Sequence, residues 1–269
     1  MGFQGKRVLA LESRRAAEMA ELIRKHAGDP CVAPSLREVP IAGDDAVFRF
    51  AERFFAGAFD CMILLTGVGT RQLNRVLAAR YGETAFAEGL RRIAVVARGP
   101  KPVAALREMS ITPAAIAPEP NTWRELLAVM EGRTEKRLAI QEYGRSNPEL
   151  LAALRARGAE VTPVRVYQYG LPEDAEPLRE AARKLAAGEF AIAFFTTAVQ
   201  IEHVARVARE QGIEEQALDA LRRSMVCSIG PTTTEALEEF GIHPSLEPSH
   251  PKMGILVHEA AQAFEEAGR

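Results

Sequence analysis

Cysteine is scarce in this 269-residue chain, and what it has does not pair. Cys31, Cys61 and Cys227 stand far apart, each in or beside an apolar strand-like run, with no CxxC. That excludes a disulfide scaffold and a thiolate metal site, and implies buried thiols in a reducing cytoplasm. The five histidines, His26, His203, His243, His250 and His258, show no zinc-like pairing with cysteines or carboxylates, so no metal is expected. The formal net charge of −2 lacks the basic excess of a general nucleic-acid binder. No apolar run approaches membrane-spanning length, and Met1–Arg7 has no signal-peptide core; a cytoplasmic protein without membrane contact is expected. A phosphate loop of the GxxxxGK[ST] type is missing. Gly67-Val68-Gly69-Thr70-Arg71-Gln72 lacks the third glycine of a dinucleotide fingerprint, so no cofactor is expected.

What is present is a joint written twice. Met225-Val226-Cys227-Ser228-Ile229 runs into Gly230-Pro231-Thr232-Thr233-Thr234 and then a helical pattern through Ala236, Leu237 and Phe240. This reads as strand, tight turn and helix start, with Pro231 suited to the first helical position and Gly230 allowing close approach of a ligand. Ile93–Ala97 followed by Arg98-Gly99-Pro100-Lys101 matches it element for element. Phe59–Val68 likewise lies over Phe190–Val199, and Lys6–Leu11 over Lys136–Gln141. A chain with 47% apolar and 26% charged residues, long enough for two cores, is thus a tandem pair of similar α/β halves.

In chain order, Val8–Leu11 is a strand and Ser13 a candidate N-cap for a helix ended by Gly28. Arg37–Ile41 is extended. Phe48–Phe55 is helical, Cys61–Leu65 a strand, and Thr66-Gly67-Val68 the turn into a further helix. Ala114–Ala117 is a short strand, and Asn121 or Thr122 caps a helix over Trp123–Met130. Leu138–Gln141 is a strand, Glu149–Arg157 a helix, and Val161–Tyr169 one long extended run. Leu178–Leu185 is helical, Ile192–Phe195 a strand, and Thr196-Thr197-Ala198 the opening of the next helix. A final helix covers Met253–Phe264. Strands alternating with helices predict parallel sheets, with ligands gathering at the carboxyl ends of the strands.

The chain resembles the uroporphyrinogen-III synthase family in Ser13-Arg14, Val166-Tyr167-Gln168 and Phe194-Phe195-Thr196-Thr197-Ala198. Ile229–Leu237 and Pro248-Ser249-His250-Pro251-Lys252-Met253 carry it further. The resemblance implies two flavodoxin-like α/β domains with parallel sheets, joined by a two-stranded ladder, with the chain crossing between them twice. Residues 1–36 and 171–269 would form one domain, 41–165 the other, and segments near 37–41 and 164–170 the ladder. A cut near Arg133 is the alternative division.

The reaction implied is that of a cyclising hydro-lyase. It closes hydroxymethylbilane to uroporphyrinogen III in a cleft between the domains, inverting ring D and losing water. The hydroxyl leaves to give an azafulvene, and the terminal pyrrole attacks through its substituted carbon to a spiro intermediate. Tyr167 is the candidate donor to the departing hydroxyl, with Tyr143 and Tyr169 as rivals. Eight substrate carboxylates call for donors and cations. The candidates are Arg14, Thr66, Gly67, Val68, Arg98, Gly99, Lys101, Thr196, Thr197, Ala198, Gly230, Thr232, Thr233 and Lys252. Thr232 and Thr233 are also candidate helix caps. A monomer in transient contact with the preceding enzyme of the pathway is the expected assembly. Pro102, where many members carry threonine, supplies no hydroxyl. Two other readings stand: a two-lobed binding or sensory protein for a tetrapyrrole or other anion without turnover, and a nucleotide-sugar-type transferase.

Overall fold

The computed structural model describes residues 2–41, 45–142, 144 and 146–267. The chain divides into two compact units, Met1–Arg37 with Gly170–Arg269, and Glu38–Tyr169.

The first unit is built on β1 (Arg7–Ala10) and β2 (Asp29–Val32), and the chain returns to it much later for β10 (Ile192–Phe195) and β11 (Met225–Ser228). These four form one parallel sheet in the order β11-β10-β1-β2. Parallel strands need helical crossovers, so both faces are covered and the strands read as apolar runs. Alternate residues point to opposite faces. Leu9, Leu11, Ala193, Phe195 and Val226 pack under α8 (Glu176–Ala186), α9 (Val199–Glu210), α10 (Glu214–Arg223) and α11 (Pro231–Glu238). Val8, Ala10, Ile192, Phe194 and Cys227 pack under α1 (Ala16–Lys25) and α12 (Met253–Ala267).

The second unit holds β4 (Cys61–Leu64), β5 (Ala94–Ala97), β6 (Ala115–Ile116), β7 (Arg137–Glu142) and β8 (Glu160–Arg165), all parallel, in the order β6-β5-β4-β7-β8. One face is covered by α2 (Asp45–Phe55), α3 (Gly67–Tyr81), α4 (Ala85–Leu90) and α5 (Pro100–Glu108). The other is covered by α6 (Trp123–Val129) and α7 (Pro148–Ala156). A two-stranded sheet pairs β3 (Arg37–Pro40) with β9 (Tyr167–Gly170), and the boundary between the units passes through both strands.

The sequence repeat maps β1 onto β7, β2 onto β8, β10 onto β4 and β11 onto β5. The order β11-β10-β1-β2 is therefore the order β5-β4-β7-β8, with the chain entering each unit at a different strand. In each unit the strand order reverses at one place, between β10 and β1 and between β4 and β7. Ligands in open α/β sheets bind outside the carboxyl ends of the strands at such points.

Two sequence expectations are corrected, and one element is added. Ser13 does not cap α1, whose N-cap is Arg15 with no side-chain bond; its Oγ accepts instead from the backbone N–H groups of Ser35 and Leu36, 3.2 Å each. The run Val161–Tyr169 is two strands, because β8 stays at the edge of the large sheet and β9 leaves it to pair with β3. The helix α10 was not anticipated. Between Asn121 and Thr122 the structure selects Thr122, which closes a capping box with Glu125.

Candidate functional site

The reversal point of the second unit is organised by Thr66, one residue beyond the fully buried β4. Thr66 is the N-cap of α3: its Oγ1 accepts from Gly69 N–H at 3.0 Å. Its own N–H donates to Gln141 Oε1 at the end of β7, 3.2 Å, and its carbonyl accepts from the Thr70 hydroxyl at 2.8 Å. Gln141 is fully buried, and its Nε2 also donates to the Glu142 carbonyl. A Cβ on Gly69 would lie 2.0 Å from that Nε2, so glycine is what lets the amide reach the turn. The adjoining turn fits equally closely, since a Cβ on Gly67 would lie 2.4 Å from the Lys101 carbonyl oxygen.

Tyr167, from β9, reaches the same place. Its hydroxyl lies 3.2 Å from Thr66 Oγ1, while its ring is 1% exposed and stands edge-on to Tyr169, 5.5 Å between centroids. Burial, reinforced by Tyr169, raises its pKa above the ordinary phenol value despite the bond to Thr66, so the group holds its proton. Tyr169 is half-buried; Tyr143 lies outside the described residues. Glu142 is 3% exposed, accepting from Ser146 Oγ at 2.6 Å and facing Arg165 Nη2 at 3.4 Å.

In the first unit the reversal point joins Thr196, after β10, to Glu12, after β1. Thr196 Oγ1 donates to Glu12 Oε2 at 2.8 Å. Gln200, 1% exposed, binds this turn as Gln141 binds the other. Its Oε1 accepts from the N–H groups of Thr196 (2.6 Å) and Thr197 (3.1 Å), and its Nε2 donates to the Leu11 carbonyl (3.0 Å). Neither glutamine was singled out from the sequence. A lone amide at a strand end or in a helix resembles any solvated polar residue until the burial around it is known.

The two Gly-Pro joints lie one strand further out. Gly99 and Gly230 are both extended (φ 172° and 164°), with proline following each. They differ in what surrounds them. A Cβ on Gly99 would lie 2.4 Å from the Asn121 amide, which donates to the carbonyls of Arg98 (3.2 Å) and Ala117 (3.1 Å). A Cβ on Gly230 would meet only Pro251 Cβ, at 3.8 Å. Thr232 and Thr233 are not side-chain caps of α11. Thr233 N–H bonds the Gly230 carbonyl at 2.9 Å, and it is Thr234 whose hydroxyl is engaged, by Ser228 Oγ and Glu247 Oε2, both at 2.6 Å.

Of the remaining candidates, Val68 and Ala198 are half-buried at the starts of α3 and α9. Arg98 is half-buried, with its N–H on the Leu64 carbonyl at 3.0 Å, and Arg14, Lys101 and Lys252 are exposed. Lys252 follows the Pro251 that faces Gly230, which brings the starts of α11 and α12 together.

The helix starts differ in charge. The first turns of α1, α4, α6, α7, α8, α9 and α10 carry glutamates that neutralise the positive end of the helix dipole. Those of α3, α5, α11 and α12 carry no acidic residue. The first three of these open directly from the carboxyl ends of β4, β5 and β11, and α12 starts beside Gly230. Such ends favour anions. Among the described residues, no group of three or more His, Cys, Asp or Glu is placed to hold a metal ion, and no helix is long and apolar enough to cross a membrane.

Comparison with known proteins gives one family from its family model and from a solved structure, and adds a curated relative of similar length. The family model described as uroporphyrinogen-III synthase HemD matches residues 17–258. The uncharacterized protein YjjA of Bacillus subtilis (strain 168) is 32% identical over 98% of both chains. A crystal structure of a mutant uroporphyrinogen III synthase from the extremely thermophilic bacterium Thermus thermophilus superposes with a TM-score of 0.73 at 26% identity, covering 97% of this chain and 99% of that one. Uroporphyrinogen-III synthetase of Helicobacter pylori 26695, 17% identical, shares the fold with a TM-score of 0.51 over 98% of this chain and 100% of that one. With two parallel α/β units and this match across nearly its whole length, the chain belongs to the uroporphyrinogen-III synthase family.

Proposed function

We propose that the protein cyclises hydroxymethylbilane to uroporphyrinogen III, inverting ring D and releasing water, as a hydro-lyase of tetrapyrrole biosynthesis. The observation that carries this reading is the set of helix starts without acidic residues, α3, α5, α11 and α12, at the strand ends where such sheets bind ligands. They suit a substrate with many carboxylates, each terminus favouring a nearby anion by about 0.3–1 kcal/mol. Backbone donors after Thr66, Gly99 and Gly230, with Arg14, Arg98, Lys101 and Lys252 nearby, would bind those carboxylates. Gly230, whose would-be Cβ meets only Pro251 Cβ at 3.8 Å, is where the substrate comes closest to the backbone. The Tyr167–Thr66 pair supplies hydrogen bonding to the leaving hydroxyl. A cytoplasmic monomer that takes its substrate from the preceding enzyme completes the proposal.

The test is a coupled assay with freshly generated hydroxymethylbilane, resolving the isomers of the oxidised product by chromatography. Type III isomer formed in proportion to protein supports the reading. Type I isomer alone, the spontaneous product, refutes it, and the reading as a binding protein without turnover would then lead.

A further inference from the structure

Resting on that reading, we propose that Glu259 is a positioning residue for substrate binding: through Ser249 it fixes the His250-Pro251-Lys252 corner against the Gly230 joint, where Lys252 meets a substrate carboxylate. Unlike α3, α5 and α11, which open directly from β4, β5 and β11 and so begin where the sheet puts them, α12 follows the segment 239–252. Its approach has to be held by ties of its own.

The ties run residue by residue. Ser245 N–H donates to the Val226 carbonyl at 2.7 Å, and the Leu246 carbonyl accepts from Ser228 N–H at 3.0 Å, which carries the chain alongside β11. Glu247 Oε2 accepts from the Thr234 hydroxyl of α11 at 2.6 Å, and Pro248 is buried. At Ser249 the hold passes to α12: Glu259 Oε2 accepts from the Ser249 N–H at 2.9 Å, and Glu259 Oε1 from its hydroxyl. The chain then reverses, because the His250 carbonyl accepts from Lys252 N–H at 2.7 Å around Pro251, whose fixed φ suits so tight a turn. The Lys252 carbonyl accepts from Leu256 N–H at 2.9 Å and so opens α12. Pro251 Cβ ends 3.8 Å from the place of a Cβ on Gly230.

The two bonds from Ser249 are charge-assisted and engage both oxygens of one carboxylate, a two-point hold that fixes orientation as well as distance. They draw the Glu259 pKa below the ordinary carboxylate value, so the hold is in place at neutral pH. Glu259 is itself anchored, since its neighbours Val257, Ala260 and Ala261 lie in the core with Val8, Phe194 and Cys227. Lys252 is exposed, and its ammonium rides on a flexible stem, so the place of its backbone decides what it reaches. A carboxylate near bound anions would oppose substrate if its charge acted directly. Positioning and repulsion therefore predict opposite effects of removing it.

The experiment compares Glu259→Ala, Glu259→Gln, Lys252→Gln, the Glu259→Ala/Lys252→Gln double variant and Glu266→Gln in the full chain. It reads KM and kcat for type III isomer, hydrogen exchange of the peptide that contains Ser249 and Lys252, and thermal unfolding. Glu259→Ala is expected to speed exchange there and to raise KM about three- to tenfold with kcat within about twofold, as for lost binding shared by ground and transition states. The melting temperature should shift by no more than about 3 °C, since the pair lies at the surface. Glu259→Gln keeps an acceptor oxygen for Ser249 and should fall between wild type and the alanine variant. Glu266→Gln, exposed further along the same helix, should leave KM near wild type. In the double variant KM should rise no further than in Lys252→Gln, as for residues acting through one group. A KM that is unchanged or lower in Glu259→Ala, exchange that stays slow, or multiplicative effects in the double variant overturns the positioning role while leaving the cyclisation standing. A wild-type protein that makes only type I isomer overturns the cyclisation and this role together.

Discussion

The Gln141 amide occupies the space that a side chain on Gly69 would need, with Nε2 2.0 Å from the would-be Cβ. The pair locks the turn after β4 to the end of β7. Gly69→Ala is therefore expected to push Gln141 off the Thr66 N–H. The cost should be about 1–3 kcal/mol, as for overpacking in a tight interior. Urea unfolding followed by the fluorescence of Trp123, the single tryptophan and a member of this unit, measures it. Adding Gln141→Ala should recover part of the loss by removing the clash.

Gly99 and Gly230, equivalent in the repeat, should respond differently to the same change. Gly99→Ala meets the Asn121 amide and should destabilise by about 1–3 kcal/mol. Gly230→Ala meets no close protein atom, and its extended backbone accepts alanine, so stability should stay within about 0.5 kcal/mol. Its effect should be a several-fold rise in KM, because the methyl group enters the space assigned to substrate. Unchanged steady-state constants would remove Gly230 from the binding surface.

Gln200→Leu removes an amide that serves four groups of the first unit, including the Leu11 carbonyl and the N–H groups of Thr196 and Thr197. Buried groups left without partners should cost about 2–4 kcal/mol in total. Circular dichroism is the suitable probe, since the tryptophan lies in the other unit.

Asp60 offers a pH test away from the site. Its carboxylate binds Arg137 across the amino-terminal edge of β4 and β7, and the guanidinium hydrogen bond holds its pKa down to about 2. A carboxylate with a depressed folded-state value stabilises above its unfolded value, near 3.9, and the contribution is lost as pH falls toward 2. Asp60→Asn should lower the melting temperature at pH 7, and the gap from wild type should close between about pH 4 and about pH 2. Activity should not change, because the proposed site lies at the opposite ends of these strands. A gap that persists at pH 2 would mean that shape, not charge, is responsible.

Much of the architecture could be read from the residues. The apolar runs Cys61–Leu64 and Ile192–Phe195, and the repeated Gly-Pro joints, mark parallel strands and the helices that follow. The helix-start charges were also legible, since the absence of Asp and Glu after Thr66, Gly99 and Gly230 is written in the sequence. What was not legible depends on packing at a distance. Ser13 precedes an apolar helical stripe, as a cap would, but bonds to backbone that is adjacent only after β1 and β2 pair. Gly69 read as part of an incomplete dinucleotide fingerprint, whereas its small size answers to Gln141. Tyr167 could be placed by its motif, but its burial beneath Thr66 comes from the departure of β9 from the large sheet.

The two crossings of the chain also impose an order of events at the ribosome. Glu38–Tyr169 is one uninterrupted segment and can close its sheet as soon as β8 has emerged. The first unit cannot, because β1 sits between β2 and β10, and β10 is made only after the whole second unit. The earliest-made strands thus wait longest for a partner, with Val8, Leu9 and Ala10 uncovered meanwhile. The unit with the interrupted segment thus completes its sheet last, and its waiting strands are the part of the nascent chain most open to aggregation and to chaperones.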